Sequence, residues 1–219
     1  MAEDIMNEQQ ELAAAFEFAS MKLGGSGGCH DLDHTLRVVA NAEMLLTELP
    51  EADRFCVKMA AYLHDIARPL EDEANGKVCH AMRGAEMVSE YLEGRSLPED
   101  ICRKISLAVL RHRFRGRNYP ETLEEKIVFD ADKLDSLGAV GIGRAFLFAG
   151  KCGARLHNTK EEALSSEAYS VEDTAYREYL VKLSKLADVM QTAPARRIAQ
   201  ERCRFMEEFF SRLDRETAM

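Results

Sequence analysis

Residues 31–50 read DLDHTLRVVANAEMLLTELP, and this stretch decides the fold class. Its apolar side chains recur at steps of four, three and four, at Val38, Ala42, Leu45 and Leu49. This spacing places them on one face of an α-helix, whereas a strand would need alternation. Asp31 is a residue type that caps a helix N-terminus, and Pro50 cannot continue one. The stretch therefore predicts an amphipathic helix with one buried face.

The same periodicity continues outward in both directions. Helices are predicted at about 4–22, 52–66, 81–93, 98–114 and 121–137, after the glycines that begin at 138, and at about 173–190 and 194–215. The glycine-rich run GGSGG at 24–28 separates the first two helices, because glycine is unfavourable inside a helix. No alternating pattern of strand type extends over more than a few residues. The sequence therefore predicts an all-α fold.

Composition excludes several classes of function. The chain has 219 residues, of which 46% are hydrophobic, and its formal net charge is −9. An acidic surface repels phosphate backbones, so binding to a nucleic acid polymer is disfavoured. The chain shows neither a secretory signal nor the roughly 18 consecutive apolar residues of a membrane span. Its six cysteines form no CxxC pair. We therefore expect a cytoplasmic protein with free thiols and no membrane association.

Four of the six histidines continue apolar helix stripes. His34, His64, His80 and His112 each stand at helical spacing from apolar residues of a different predicted helix. Side chains at such spacings share a face, so these imidazoles are expected to point inward. One inward histidine is usually an ordinary core residue. Four of them near helix ends favour a shared metal, because each buried imidazole needs partners for two ring nitrogens. His30, in the glycine-rich approach, is expected in an exposed loop.

Two aspartates accompany these histidines. Asp65 directly follows His64, and both side chains can reach one ion at a helix end. Asp132 lies in a helix that is otherwise apolar through Ile127, Ala131 and Leu134. A buried carboxylate is unfavourable unless it is paired or coordinates a cation. An ion pair between Asp132 and an arginine is the alternative.

The segments HDLDHTLRV (30–38), AAYLHD (60–65) and DADKLD (130–135) resemble the three signatures of the HD-domain superfamily of metal-dependent phosphohydrolases. The sequence is most similar to the YedJ-like branch, and the resemblance continues through SLGAVGIGRAF at 136–146 and the C-terminal part. It implies an HD-domain helical bundle with additional C-terminal helices, as one domain over residues 1–219. The metal-site core would lie at about 29–137 and the C-terminal helices at about 173–215. The resemblance also implies that His34, His64, Asp65 and Asp132 are the metal ligands.

Coordination chemistry agrees with this ligand set. Two imidazoles and two carboxylates suit an octahedral divalent metal ion, with Mn²⁺ or Mg²⁺ preferred and Fe²⁺, Co²⁺ or Ni²⁺ as alternatives. Four protein ligands leave about two positions for water and a phosphate oxygen. A structural zinc site would more often include cysteines. Asp65 combines negative charge with its position beside His64, so it is the residue we expect catalysis to require most.

Several cations are candidates for binding the substrate phosphate. Arg37 lies one helical turn after His34, and Lys133 follows Asp132, so either could hold a non-bridging oxygen or act in catalysis by stabilising the transition state. The run RHRFRGR at 111–117 is a local positive cluster, in which Arg113 and Arg115 are predicted to hold a polyphosphate tail. The alternatives are surface ion pairs, or a solvated helix end that complements its own dipole.

His80 and His112 extend the ligand pattern beyond the four family positions. Three roles stay open for them, and phosphate binding beside one metal ion is preferred, because a second ion would have few carboxylates to offset its charge. They bind a second metal ion that Asp65 bridges, they donate hydrogen bonds to the substrate phosphate beside one metal ion, or they are ordinary core residues. A two-metal site would place the ions about 3.5–4 Å apart.

The pattern as a whole predicts a hydrolase that acts on a small-molecule phosphorylated substrate, with a nucleotide preferred. Both a phosphatase and a nucleoside-triphosphate pyrophosphohydrolase fit this prediction. The alternatives are a dinuclear iron oxygenase of the helical HD type and a non-catalytic nucleotide-binding module. A homodimer is compatible with the sequence, which does not determine the oligomeric state.

Overall fold

A computed structural model describes residues 2–24, 30–74, 76–113 and 118–217. Every regular element within these ranges is helical, which confirms the all-α prediction. The chain divides into two compact units, residues 1–132 and 133–219. Across the described ranges, no helix has the length and apolar character needed to cross a membrane.

The first unit is organised around its third helix. It contains α1 (Ala2–Leu23), α2 (Leu32–Glu48), α3 (Arg54–Leu63), α4 (Arg68–Glu73), α5 (His80–Glu93), α6 (Glu99–Arg111) and most of α7 (Leu123–Leu134). Helix α3 lies against α1, α2 and α6, while α5 packs on α4 and α6. Val57, Met59, Ala60 and Leu63 of α3 are fully buried. The C-terminal end of α3 therefore lies in the interior of this unit.

Capping aspartates fix where two of these helices begin. The Asp31 side chain accepts a hydrogen bond from the His34 amide at 2.9 Å, which confirms the predicted cap of α2. Asp53 does the same for α3, accepting from the Cys56 amide at 3.0 Å. Each cap satisfies a backbone donor that the helix itself leaves unpaired. The Asp31 cap also places His34 in the first turn of α2.

The second unit contains α8 (Gly138–Lys151), α9 (Lys160–Ser165), α10 (Ala175–Val181), a 3-10 helix (Leu183–Val189) and α11 (Ala193–Thr217). Helix α11 packs against α8 and the 3-10 helix, and Phe146 of α8 contacts Phe209 and Phe210 of α11. At Gly141 a Cβ atom would lie 2.2 Å from the carbonyl oxygen of Ser136, so only glycine fits this close backbone approach.

The observed helices differ from the predicted ones at several places, and α6 and α7 end at Arg111 and Leu134, three residues before their predicted ends. Helix α3 ends three residues early, because residues 64–67 form a turn. Two stretches that were not predicted to be helical contain the short helices α4 and α9. Helix α9 begins with a capping box between Thr159 and Glu162. The helix predicted at 173–190 is divided into α10 and the 3-10 helix, since the backbone leaves helical geometry at Lys182.

Candidate metal centre

The end of α3 carries two of the predicted ligands. His64 and Asp65 lie in the turn after Leu63, where the Arg68 amide donates to the Asp65 carbonyl oxygen at 2.8 Å. Both side chains are buried, and Asp65 is only 3% exposed. In a continuing helix these adjacent side chains would diverge by about 100 degrees. Here both nonetheless reach the same space, with Nε2 of His64 3.8 Å from Oδ2 of Asp65.

Helices α2 and α7 supply the other two predicted ligands. The side-chain amide of Asn41 on α2 donates to the Ala131 carbonyl oxygen on α7 at 3.0 Å. This bond ties α2 to the residue directly before Asp132. The Nε2 atom of His34 consequently lies 3.5 Å from Oδ1 of Asp132.

The four predicted ligands converge on one buried space. The Nε2 atom of His34 lies 3.3 Å from Nε2 of His64 and 3.7 Å from Oδ2 of Asp65. The Nε2 atom of His64 lies 3.8 Å from the same carboxylate oxygen. His34, His64 and Asp132 form a group whose ligand atoms lie within 4.8 Å of one another. This donor set fits a divalent cation of the predicted kind.

His80 and His112 face the other oxygen of Asp65. Their Nε2 atoms lie 3.4 and 3.7 Å from Oδ1 of Asp65 and 3.2 Å from each other. His80 begins α5 and His112 follows the end of α6, and these two helices pack together. The three residues form a second group with ligand atoms within 4.8 Å. The Asp65 carboxylate thus has imidazoles beside both of its oxygens.

Hydrogen bonds set the ring orientation of three histidines. Nδ1 of His64 lies 2.8 Å from the Ala61 carbonyl oxygen, and Nδ1 of His112 lies 2.6 Å from that of Val109. A carbonyl oxygen only accepts, so each Nδ1 carries a hydrogen, and the lone pair of a neutral ring is then on Nε2. Nδ1 of His80 contacts the Glu71 carboxylate, which only accepts, so this nitrogen also carries a hydrogen, although the Arg68 guanidinium lies 3.3 Å from it. Their Nε2 atoms therefore have the form that binds a metal ion.

Burial controls the protonation of the centre. It lowers the pKa of His64 from 6.5 to about 4, against the opposing effect of Asp65. Burial likewise lowers the pKa of His80 to about 4. Burial alone would raise the pKa of Asp65, but the neighbouring His64, His112 and His30 hold it well below its usual range. Neutral imidazoles beside an ionised carboxylate are the protonation states that metal binding requires.

His30 belongs to this centre, so its assignment to an exposed loop is wrong. Its Nδ1 atom lies 3.0 Å from Oδ2 of Asp65, although its side chain is 31% exposed. His30, His34 and Asp65 form a third group with ligand atoms within 4.8 Å of one another. The signal in the sequence is the spacing, because His30 precedes His34 by four residues.

Glu71 of α4 is a second residue that the sequence did not single out. Its carboxylate is buried and accepts hydrogen bonds from the backbone amide of His80, at 3.0 Å, and from Nδ1 of the same residue. The Arg113 guanidinium donates to its other oxygen at 3.0 Å. Its sequence segment, RPLEDE, looks like a polar loop and carries no periodic signal.

The predicted phosphate-binding cations occupy different surroundings. Arg37 is half-buried on α2, one turn from His34, and Lys133 is a buried residue that begins the second unit. Arg113 is half-buried and donates to Glu71 and to the Cys79 sulfur. Arg115 lies outside the described residues.

Comparison with known proteins places the chain in a family. A model of the HD domain matches residues 31–137. The chain is 34% identical over 188 residues to YpgQ of Bacillus subtilis, a match that covers 85% of this chain and 84% of YpgQ. The narrower assignment to the YedJ-like branch stays a prediction.

Solved structures extend the likeness to nearly the full length. The crystal structure of Bacillus subtilis YpgQ in complex with ADP matches with a TM-score of 0.70 and 30% identity, covering 93% of this chain and 97% of that one. An HD-superfamily hydrolase from Bacillus thuringiensis matches with a TM-score of 0.72 and 28% identity, covering 97% of this chain and 100% of that one. The chain therefore belongs to the HD superfamily and is related to its hydrolases.

Proposed function

We propose that this chain is a metal-dependent phosphohydrolase acting on a small phosphorylated substrate, of which a nucleotide is the preferred class. The observation that carries the proposal is the convergence of His34, His64, Asp65 and Asp132 from α2, the turn after α3, and α7. Membership of a superfamily that includes hydrolases supports the same activity.

A divalent cation bound by these residues would act as a Lewis acid toward a phosphoryl oxygen and would activate a water molecule for attack. Asp65 and Asp132 supply the negative charge that draws a cation into a buried space. His34 and His64 supply nitrogen ligands, and the Ala61 carbonyl holds the His64 ring in its orientation. The protein scaffold thereby fixes the ligand positions before substrate arrives.

The choice of a nucleotide is supported by the relative YpgQ, whose crystal structure holds ADP. We assign substrate binding to Arg37 and Lys133, which stand close to His34 and Asp132 in the sequence, and to Arg113 and Arg115 for a polyphosphate tail. Guanidinium groups suit this role because paired N–H groups match phosphate oxygens. Arg113 uses Nη1 and Nη2 toward Cys79 and Glu71, and a guanidinium has five N–H donors in all.

The second group, Asp65 with His80 and His112, is assigned to a second cation. Nδ1 of each imidazole lies beside an oxygen acceptor, so in neutral rings the two Nε2 lone pairs face each other at 3.2 Å. Two facing lone pairs repel unless a cation lies with them. A neutral ring with this lone pair cannot donate a hydrogen bond to a phosphate oxygen. These points favour a second metal ion over the phosphate-binding and core alternatives.

The test is a screen for released phosphate and pyrophosphate over nucleoside mono-, di- and triphosphates. The metal-free protein is supplied with Mn²⁺, Mg²⁺ or Co²⁺ in separate reactions. We expect turnover that requires the metal ion and that Asp65→Ala abolishes. Phosphate release would identify a phosphatase, and pyrophosphate release from triphosphates would identify a pyrophosphohydrolase.

Two outcomes would overturn the proposal. Oxygen consumption by the iron-loaded protein, without hydrolysis of any nucleotide, would identify the dinuclear iron oxygenase. Tight nucleotide binding without turnover under any metal would identify a non-catalytic module. A chelator-treated sample controls for metal carried through purification.

A further inference from the structure

Glu71 is the carboxylate that stands directly behind the second group of imidazoles. Its Oε2 atom accepts from the His80 amide at 3.0 Å and from the His80 ring at Nδ1. Two bonds to one residue hold both the start of α5 and the orientation of its first side chain. The carboxylate is buried, so this contact is shielded from water and from salt.

We propose that Glu71 is a positioning residue that holds the His80 Nε2 lone pair toward Asp65 and thereby sets the affinity of the second cation position. This inference rests on the proposed function, because it takes Asp65, His80 and His112 as the ligands of that cation. The role of Glu71 is separate from those of the ligands, since it acts through His80.

Glu71 determines which nitrogen of the His80 ring is available to a metal ion. A neutral imidazole carries its hydrogen on either nitrogen, and only the nitrogen without it can bind a metal ion. A carboxylate at Nδ1 selects the form with hydrogen on Nδ1, which leaves Nε2 facing Oδ1 of Asp65 at 3.4 Å. Carboxylates or carbonyls behind ligand histidines commonly have this effect, and they also make the ligand nitrogen more basic.

Glu71 also changes the balance of charge at the second cation position. The first cation position has the carboxylates of Asp65 and Asp132, whereas the second shares only Asp65. A second divalent ion in a buried space would therefore have little negative charge to offset its own. Glu71 supplies a further carboxylate, separated from the cation position by one imidazole ring. The fold therefore adds negative charge close to His80 and His112, which have few carboxylates near them.

The side chains of Arg113 and Arg68 oppose the effect of Glu71 on His80. The Arg113 guanidinium pairs with Oε1 of Glu71 at 3.0 Å, and Arg68 lies 3.9 Å from Oε2. Both positive charges reduce the negative potential that Glu71 exerts on His80. Removing the charge of Arg113 should therefore act in the opposite direction to removing the charge of Glu71. Simple damage to the cluster would instead weaken metal binding in both variants.

The experiment is a titration of the metal-free, full-length protein with Mn²⁺ alone, followed by calorimetry. For the unmodified chain we expect two equivalents with separable affinities. Glu71→Gln keeps an acceptor but loses the charge, so the second equivalent should bind about 10-fold more weakly. Glu71→Ala loses both, and the second equivalent should bind about 100-fold more weakly. The first equivalent should be unchanged in both variants.

Two further variants separate positioning from general damage. Arg113→Gln should bind the second equivalent at least as tightly as the unmodified chain. Glu125→Gln is the matched control, because Glu125 is also a buried carboxylate paired with an arginine, Arg111, at 2.9 Å. It lies on α7, where its carboxylate accepts from Arg111 and from the amides of Glu121 and Thr122, so both equivalents should bind normally. Circular dichroism confirms that each variant remains helical.

Nuclear magnetic resonance of histidine nitrogens in the metal-free protein tests the orientation without any metal or activity. In the unmodified chain, His80 and His112 should both carry hydrogen on Nδ1. In Glu71→Ala, His80 should move toward hydrogen on Nε2, while His112, held by Val109, serves as the internal reference.

The outcomes are distinguishable. Two equivalents with unchanged second affinity in both Glu71 variants would overturn the role of Glu71 and leave the second cation in place. Equal weakening in Arg113→Gln and Glu71→Gln would show general damage and would also overturn it. One equivalent in the unmodified chain would overturn the second cation position together with its dependence on Glu71. Hydrolysis of nucleotides would be judged separately by the product screen.

Discussion

The buried state of His80 makes a quantitative prediction about folding stability. Burial lowers its pKa from 6.5 to about 4, so between these values the unfolded chain binds a proton at this residue and the folded protein does not. Stability contributed by the neutral ring is therefore complete above pH 6.5 and is lost as the pH falls toward 4. Metal-free protein is the correct sample, because a bound cation would add its own pH dependence.

The size of this loss of stability follows from the pH range in which the unfolded chain is protonated at His80 and the folded protein is not. Acidification from pH 7 to pH 5 crosses roughly 1.5 pH units below the unfolded pKa, at about 1.4 kcal/mol per unit, so His80 contributes about 2 kcal/mol of destabilisation. His80→Asn removes this titration. The variant should therefore lose about 2 kcal/mol less stability than the unmodified chain over the same pH change, whatever its absolute stability.

Urea unfolding at pH 7, 6 and 5, followed by circular dichroism in the presence of a chelator, measures this difference. Met82→Asn is the control, because Met82 lies on the same helix and is 54% exposed. It should reproduce the pH dependence of the unmodified chain. Parallel pH profiles for His80→Asn and the unmodified chain would refute the reasoning, since they would mean that His80 titrates in the folded protein as it does in water.

Four other predictions address the metal, the substrate and the second unit. Asp65→Ala should abolish both metal binding and turnover while helical content persists; normal turnover of the metal-replete variant would overturn the site assignment. Arg113→Ala should raise KM for nucleoside triphosphates more than for monophosphates in steady-state assays, and equal changes would exclude contact with the polyphosphate tail. Gly141→Ala should lower the free energy of unfolding by about 3 kcal/mol, because its Cβ would meet the Ser136 carbonyl oxygen. Gly143→Ala, with open space around it, should instead raise stability by about 0.5–1 kcal/mol in the same denaturation assay.

Local sequence determined the helical character of the chain and several helix starts. The repeat in residues 38–49 predicted α2, and Asp31 predicted its cap, because both depend on neighbours within one or two turns. The capping box at Thr159 and Glu162 is also a local pattern and marks the start of α9, although no helix was predicted there. The end of α3 could not be predicted from the sequence, since residues 60–66 are apolar enough to continue a helix.

The candidate ligands were identifiable because each histidine continues an apolar stripe and each aspartate stands where burial needs compensation. His30 could have been included from its spacing of four to His34. Glu71 could not have been included, because nothing in the polar segment RPLEDE indicates which of its carboxylates is buried. Its contact with His80 joins α4 to the start of α5, and the contact with Arg113 crosses 42 positions of the chain.

Sequence alone thus determined which residue types face inward on each helix, since helical periodicity is a local property. Only the tertiary structure decided that Asp65 lies in a turn beyond α3, with His34 and His64 beside one oxygen and His80 and His112 beside the other. Periodicity gives a direction around one helix axis. The distance between atoms on different helices depends on how those helices pack, and the candidate metal centre is made of such distances.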